Sequence, residues 1–224
     1  ELTMPTPRRD FLQWLGASGA MSAIGGPLPL LSPGGHAQKP VTDKWDMSWC
    51  DRVTGTARGV FDSPQVAEGA AVFRAVIWQA QQHDVYGTAP TAMTTVVVIR
   101  HEAIPLVMNH AYWQRFEVGK EQKLRDARGK KWARVNPVGV PQPGASTEAA
   151  ASTLRSFIDS GGIVLACNLA FGMMTQRFRA ADKSTADAAR AAAISHLIPG
   201  VILQPSGIFA VLRAQQSGCS YLLA

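Results

Sequence analysis

The hydrophobic pattern of the chain is clearest around Cys167. After the pair Gly161-Gly162, four apolar residues lead to this cysteine. A short apolar run that follows a turn is typical of a strand buried on both faces of a parallel sheet. The segment from Leu169 to Phe178 then has the character of a helix. We therefore predict that Cys167 lies where a central strand ends and a helix begins.

Apolar runs alternate with helix-like segments over most of the remaining chain. Such an alternation predicts an α/β fold, in one domain of about five mostly parallel strands with helices on both faces. Ser63 is predicted to cap the first helix and Pro64 to be its first residue. The other strands are predicted at residues 58–62, 95–100, 201–204 and 219–223, the last of them buried, and the helices at 64–83, 105–116, 147–158, 183–196 and 208–215.

Composition agrees with an ordinary folded protein. The chain has 224 residues, of which 46% are hydrophobic and 17% charged, which is enough for one α/β domain and an appendage. Three cysteines are too few for a disulfide scaffold, and an odd number leaves at least one thiol unpaired. Neither Cys50 nor Cys219 has an obvious partner, so we predict no intrachain disulfide.

The first 37 residues have the pattern of an export signal. The adjacent Arg8 and Arg9 precede an uncharged stretch from Phe11 to Leu31, and small residues around Ala37 offer a cleavage site. Paired arginines before an apolar stretch indicate a twin-arginine signal, so we expect the protein on the periplasmic side. The uncharged stretch has 21 residues, close to the roughly 20 that span a bilayer. The leader is therefore either removed, leaving a soluble domain, or retained as a membrane anchor.

A linker is expected between this leader and the domain. Residues 38–55 contain Trp45 and Trp49, which we expect to pack against the surface of the domain. The domain itself is assigned to residues 56–224.

The net charge of +6 is concentrated in one segment. From Arg115 to Arg134 there are eight Lys or Arg residues and three Asp or Glu residues, and a Pro/Gly-rich loop follows at 136–144. Residues 115–144 are thus interpreted as a basic insert. Three roles stay open for it: a solvated face, a surface that docks an acidic partner or anionic lipid, and, least favoured, a nucleic-acid site.

Candidate chemistry centres on Cys167. A thiol before a helix meets the backbone N–H groups of the first turn, which favour a thiolate, although a small buried cysteine often only fills the core. His101 follows a predicted strand at the same sheet edge, and Asn168 follows Cys167 directly. The cysteines and histidines lack metal-site spacing, and no phosphate-binding or nucleophile-elbow motif occurs, so we predict no metal and no cofactor.

Three segments of the C-terminal half resemble the DsrE/DsrF-like family. They run from Gly162 to Asn168, from Leu197 to Gly207 and from Leu212 to Tyr221, and they correspond to a strand ending in Cys, a strand ending in Pro-Ser-Gly and a closing strand. The resemblance extends from about Thr56 to the end of the chain. The Trp-rich segment around Trp45 and Trp49 is similar to the Tat-exported branch of the family.

This resemblance implies a five-stranded domain that forms homo-oligomers. It also implies that Cys167 carries sulfur as a persulfide and passes it to a partner protein. His101 and Asn168 remain candidate site residues because of their positions near Cys167, not because of the resemblance. The first hypothesis is therefore an exported, non-catalytic or weakly catalytic domain that serves as a sulfur carrier through Cys167; if it has an activity, that activity is sulfur transfer. The alternative is a non-catalytic structural subunit, tethered by a retained leader, that docks on a membrane complex.

Overall fold

The computed structural model describes residues 44–126, 129–141, 144 and 146–224. The predicted leader, residues 1–37, lies outside this part of the chain. Within it, five parallel strands form one sheet in the order β4-β3-β2-β1-β5. The predicted α/β fold with a parallel sheet is confirmed. The strands are β1 (Ala57–Ser63), β2 (Met93–Ile99), β3 (Ile163–Cys167), β4 (Ile202–Gln204) and β5 (Ser220–Leu223).

The helices follow the strands in the expected alternation. None of those in the described residues has both the length and the apolar character needed to cross a membrane. Short 3-10 helices at Ser48–Arg52, Ala67–Gly69, Pro90–Ala92 and His101–Val107 accompany them. The α-helices are α1 (Ala70–Tyr86), α2 (His110–Arg115), α3 (Val118–Glu121), α4 (Thr147–Ala151), α5 (Leu154–Asp159), α6 (Asn168–Asp182), α7 (Ala186–Ser195) and α8 (Gly207–Gln216).

Each face of the sheet has its own hydrophobic core. Alternate residues of β2 show this, since Val97 belongs to the larger core and Val98 to the smaller one. Helices α1, α2, α5, α6 and α7 contribute to the larger core. On the opposite face, α8 packs together with Trp49 and Val53. Trp49 is fully buried, so the segment predicted as a linker supplies a core residue.

The sequence predicts β5 to be a buried strand, but the structure shows it exposed. It pairs only with β1, at the edge of the sheet, and all four of its residues are exposed. A central strand of a parallel sheet is apolar because helices cover both of its faces. The Tyr-Leu-Leu sequence of β5 has the same apolar character, but in the structure it belongs to an uncovered edge.

The first helix begins later than predicted. Ser63 is the last residue of β1, paired with Ile99, and its hydroxyl donates to the carbonyl of Gln65. The chain then turns through a left-handed glycine, Gly69, whose φ of +83° would strain other residues. A Cβ at Gly69 would also overlap Val138. Helix α1 therefore begins only at Ala70.

Two other predicted helices are each interrupted. The one at 105–116 is broken at Met108, which is extended and forms an antiparallel bridge with Leu197. Asn109 then caps α2 by accepting a hydrogen bond from the amide of Tyr112 at 3.0 Å. The helix predicted at 147–158 is divided at Thr153, which has an extended backbone. The Thr153 hydroxyl accepts a hydrogen bond from the amide of Ser156 and so caps the start of α5. Both breaks occur where a polar side chain can cap a new helix.

Candidate functional site

Cys167 occupies the predicted junction between strand and helix. It is the last residue of β3 and the N-cap of α6, where its Sγ accepts a hydrogen bond from the amide of Ala170 at 3.5 Å. The residue is 6% exposed. The thiol thus lies at the positive end of a 15-residue helix, beneath a cover that leaves little of it accessible.

An arginine is the register neighbour of this cysteine. Ile99, the last residue of β2, pairs with Ala166 of β3, so Arg100, which follows β2, comes next to Cys167, the last residue of β3. The hydrogen bond to Asp62 is the main factor that raises the pKa of Arg100, and the nearby Asp62, Tyr221 and Cys167 side chains raise it further by smaller amounts. The guanidinium therefore provides positive charge near the sulfur.

Arg100 is held in place by Asp62, the penultimate residue of β1. Its Nε and one terminal nitrogen each donate to a carboxylate oxygen of Asp62 at 2.7 Å. The hydroxyl of Tyr221 in β5 donates to the same carboxylate at 3.1 Å. Burial, and next the hydrogen bond to Asp62, raise the pKa of Tyr221 above its usual value. Three strands thus contribute to one polar network at the carboxyl edge of the sheet.

The two other predicted site residues differ in their surroundings. Asn168 accepts a hydrogen bond from Arg190 at 2.5 Å, and Arg190 also lies over the ring of Phe171. This contact joins α6 to α7, so the side chain of Asn168 has a structural role. His101 is exposed, at the start of a 3-10 helix, and its backbone is left-handed with a φ of 49°. No hydrogen bond joins the His101 and Cys167 side chains of this described region, although His101 lies two residues after the end of β2, the neighbour of β3.

Gln204 is the register partner of Cys167 on the other side. Its Nε2 donates to the carbonyl of Asp46 at 2.8 Å, which fixes the N-terminal segment to the end of β4. Its Oε1 is buried and finds no hydrogen-bond partner among the described residues. A buried amide oxygen in this state retains an unused acceptor beside the thiol-bearing strand.

A cavity of about 260 Å³ opens beside the Arg100–Asp62 pair. Its apolar wall consists of Ile208, Val211 and Leu212 of α8, and Tyr221 lines it from β5. Exposed apolar side chains continue from this cavity along the outer surface of α8 and β5. We call this surface the apolar edge; it comprises Ile208, Phe209, Leu212, Tyr221, Leu222 and Leu223, which are 40–62% exposed.

The cysteines and acidic residues offer little other chemistry. All three cysteines are free. Burial raises the pKa of the Cys219 thiol to about 11, so this group stays protonated near neutral pH. Within the described part of the chain, no group of three or more His, Cys, Asp and Glu side chains is placed to bind a metal ion.

The polar network around Arg100 was missed at the sequence level, although a signal for it exists. Asp62 and Arg100 are the charged residues that end two predicted neighbouring strands. Because carboxyl ends of parallel strands meet at one edge of the sheet, opposite charges there are expected to pair. Tyr221 gives no such signal, since its contact depends on β5 lying next to β1.

Two comparisons with known proteins found no relative of the chain. No family model matches the chain, and no curated protein matches it significantly.

Proposed function

We propose that the chain is an exported DsrE-like domain protein that carries sulfur as a persulfide on Cys167. The observation that supports this most is the position of the thiol, at the end of a central parallel strand and at the N-cap of α6. Ligands of open α/β sheets bind at this edge. Arg100, which follows the neighbouring strand, brings a positively charged side chain to the same edge.

The proposed transfer needs no oxidant. The thiolate of Cys167 attacks the outer sulfur of a donor persulfide, a new S–S bond forms, and the S–S bond of the donor breaks with its thiolate leaving. The product is a persulfide on Cys167, which a partner thiolate can attack in the same way. Because Cys167 is 6% exposed, the residues that cover it must open locally before either step.

The test is to incubate the full chain with a small-molecule persulfide and measure its intact mass. We expect the mass to rise by one sulfur atom, and Cys167→Ser to abolish the gain. Cys219→Ser is the matched control, because that buried thiol is protonated near neutral pH and should not load. Loading that persists in Cys167→Ser and disappears in Cys50→Ser would contradict the proposal.

The apolar edge favours a second function, that of a structural subunit. An uncovered edge strand offers unpaired backbone groups, and its exposed apolar side chains mark a protein contact. We propose a second copy of the chain as the first partner, because β5 can pair antiparallel with its own copy around a two-fold axis. With a retained leader, the same surface would dock the domain on a membrane complex.

The oligomeric state tests this second function. Mass in solution, measured by light scattering, should be that of a dimer or larger assembly for the full chain. Leu222→Lys should shift it to the monomer, since the lysine charge would be buried in the contact. Val85→Lys on α1 is the control, because Val85 is also exposed, at 65%, but lies outside the apolar edge. A monomeric wild-type chain would exclude self-association as the role of this surface.

A further inference from the structure

A short hairpin carries most of the excess positive charge of the protein. Arg125 and Trp132 form an antiparallel bridge, and the amide of Asp126 donates to the carbonyl of Lys131 at 2.8 Å. The amide of Ala133 donates to the carbonyl of Leu124 at 2.9 Å. We call residues 123–134 the basic hairpin. Of these, residues 127 and 128 lie outside the described part of the chain.

The basic hairpin is anchored to α3 by a close backbone approach. A Cβ on Gly119 would overlap the backbone of Ala133, so the second hairpin strand lies directly on this glycine. The amide of Leu124 donates to the carbonyl of Gly119 at 2.8 Å. The hairpin is thus held at a fixed place on the domain surface.

Charge on the basic hairpin is strongly one-sided. Its sequence contains six Lys or Arg residues and a single carboxylate, Asp126, a local excess of +5. That carboxylate accepts hydrogen bonds from the amides of Lys130 and Lys131. The described cations Lys123, Arg125, Lys130, Lys131 and Arg134 are all exposed.

The cations next to the hairpin, unlike those in it, form ion pairs with carboxylates. Arg115 pairs with Asp182, Arg177 with Glu121, and Lys120 with Glu117. In contrast, no described carboxylate forms an ion pair with Lys123, Lys130, Lys131 or Arg134. The acidic side chains Glu117, Glu121 and Asp182 therefore pair with cations beside the hairpin, and four described cations of the hairpin have no ion pair with a described carboxylate.

The chemistry of the hairpin fits a layer of anionic headgroups better than a protein partner. A stable protein interface has an apolar, desolvated centre. None of the described hairpin residues has a large apolar side chain that is mostly exposed. Trp132 is half-buried, and the guanidinium carbon of Arg125 lies 3.7 Å from the centre of its ring. Dispersed lysines need no such centre to bind a charged lipid surface.

We propose that the basic hairpin binds the anionic headgroups of a phospholipid surface. Each cation near such a surface contributes about fivefold to the partition coefficient, and Trp132 is a residue type that favours the boundary between lipid and water. The interaction is electrostatic, so it weakens with salt over the range in which the Debye length falls below about 10 Å. This inference does not depend on the chemistry of Cys167.

The test is partition of the full chain between buffer and vesicles. Vesicles of phosphatidylcholine alone are compared with vesicles that also contain phosphatidylglycerol, at low and at high salt. The variant Lys130→Gln/Lys131→Gln removes two exposed cations from the hairpin. The control Arg74→Gln/Arg213→Gln changes the net charge equally at other helices. Residues 1–43 are the same in all variants, so their contribution cancels in the ratios.

We expect the hairpin variant to lose roughly 25-fold in binding to the anionic vesicles, from about fivefold for each of two cations, and the control less than threefold. Cys167→Ser should bind as the wild type does, which separates this proposal from the sulfur-carrier one. Equal losses in both double variants, or no dependence on phosphatidylglycerol, would overturn the proposal. Hairpin-dependent binding to soluble polyaspartate without binding to vesicles would overturn it in favour of an acidic protein.

Discussion

Arg100 and Asp62 form a two-pronged ion pair across the carboxyl ends of β2 and β1. Both hydrogen bonds measure 2.7 Å, and the side chain of Asp62 is 2% exposed while that of Arg100 is 19% exposed. The pair therefore differs from the surface ion pairs of the protein, in which both partners contact solvent. It determines where Arg100 points, and hence which charge lies beside Cys167.

Removing Asp62 should destabilise the protein much more than removing a surface carboxylate. Asp62→Ala leaves Arg100 partly buried without its partner, which costs about 3 kcal/mol. Asp159→Ala, which removes the exposed pair of Asp159 with Arg155, should cost less than about 0.5 kcal/mol. Urea unfolding of both variants measures the difference. Losses of similar size would show that burial of the Arg100–Asp62 pair has no energetic weight.

Asn136 should be intolerant of even a conservative change. Its Nδ2 donates to the carbonyls of Leu106 and Met108 at 2.6 and 2.7 Å, and its Oδ1 accepts from the amide of Val138. Asn136→Asp keeps the shape but replaces the donor by an acceptor that faces two carbonyls. We expect a loss of about 3 kcal/mol for Asp and a similar loss for Ala, by urea unfolding. An Asn136→Asp variant with the free energy of unfolding of the wild type would contradict the assigned hydrogen bonds.

Two glycine-to-alanine changes should act in opposite directions. Gly119→Ala introduces a Cβ that overlaps the backbone of Ala133, so we expect a destabilisation of about 2 kcal/mol. Gly172 lies inside α6 with nothing within 4 Å of an added Cβ, so Gly172→Ala should stabilise the helix by up to about 1 kcal/mol. Thermal unfolding midpoints report both signs, and a fall for Gly172→Ala would be inconsistent with the open space there.

Stability should decline in alkaline solution, and Cys219 and Tyr112 are two groups that contribute to the decline. Burial raises the pKa of Cys219 to about 11 and that of Tyr112 to about 12, from reference values of 9.0 and 10.0. The folded state thus holds these protons more tightly than the unfolded state, so the contribution is complete below the unfolded pKa and is lost as pH rises through the folded pKa. Urea midpoints should fall from about pH 9 upward.

Single variants separate the two contributions to this decline. Cys219→Ala should flatten the lower part of the curve, because the reference pKa of Cys219, 9.0, lies below that of Tyr112, 10.0. Tyr112→Phe should flatten the upper part, and it also removes the hydroxyl that donates to the sulfur of Met174. A curve that keeps its slope in both variants would assign the alkaline loss to other groups.

The sequence predicted the sheet well where local pattern reflects burial. The runs that end at Asp62, Arg100 and Cys167 became β1, β2 and β3 within one or two residues, because these three strands lie inside the sheet, where helices cover both faces and favour apolar side chains. Helix beginnings were harder to place. The left-handed turn at Gly69 is set by its packing against Val138, about 70 residues away, and no local pattern contains that contact.

The sequence predicted the position of the Cys167 thiol, but only some of the residues around it. Cys167 follows from the run that leads to it, and Asn168 from its place in the sequence. The exposure of β5 and the contact of Tyr221 with Asp62 depend on the order of strands across the sheet. That order is a property of the whole topology, which single residues do not encode. The role of Asn168 in joining α6 to α7 depends likewise on Arg190, which is 22 positions away.

The burial of Trp49 constrains the order in which the chain can fold. Its segment precedes every strand in the sequence, yet Arg52 donates to Gly161, 109 positions later, and Gln204 reaches Asp46 across 158 positions. Closing such long loops is slow, because chain entropy is lost before the contact forms. We therefore expect Trp49 to become buried late, after β3 and β4 have joined the sheet. Its fluorescence would report one of the last steps of folding.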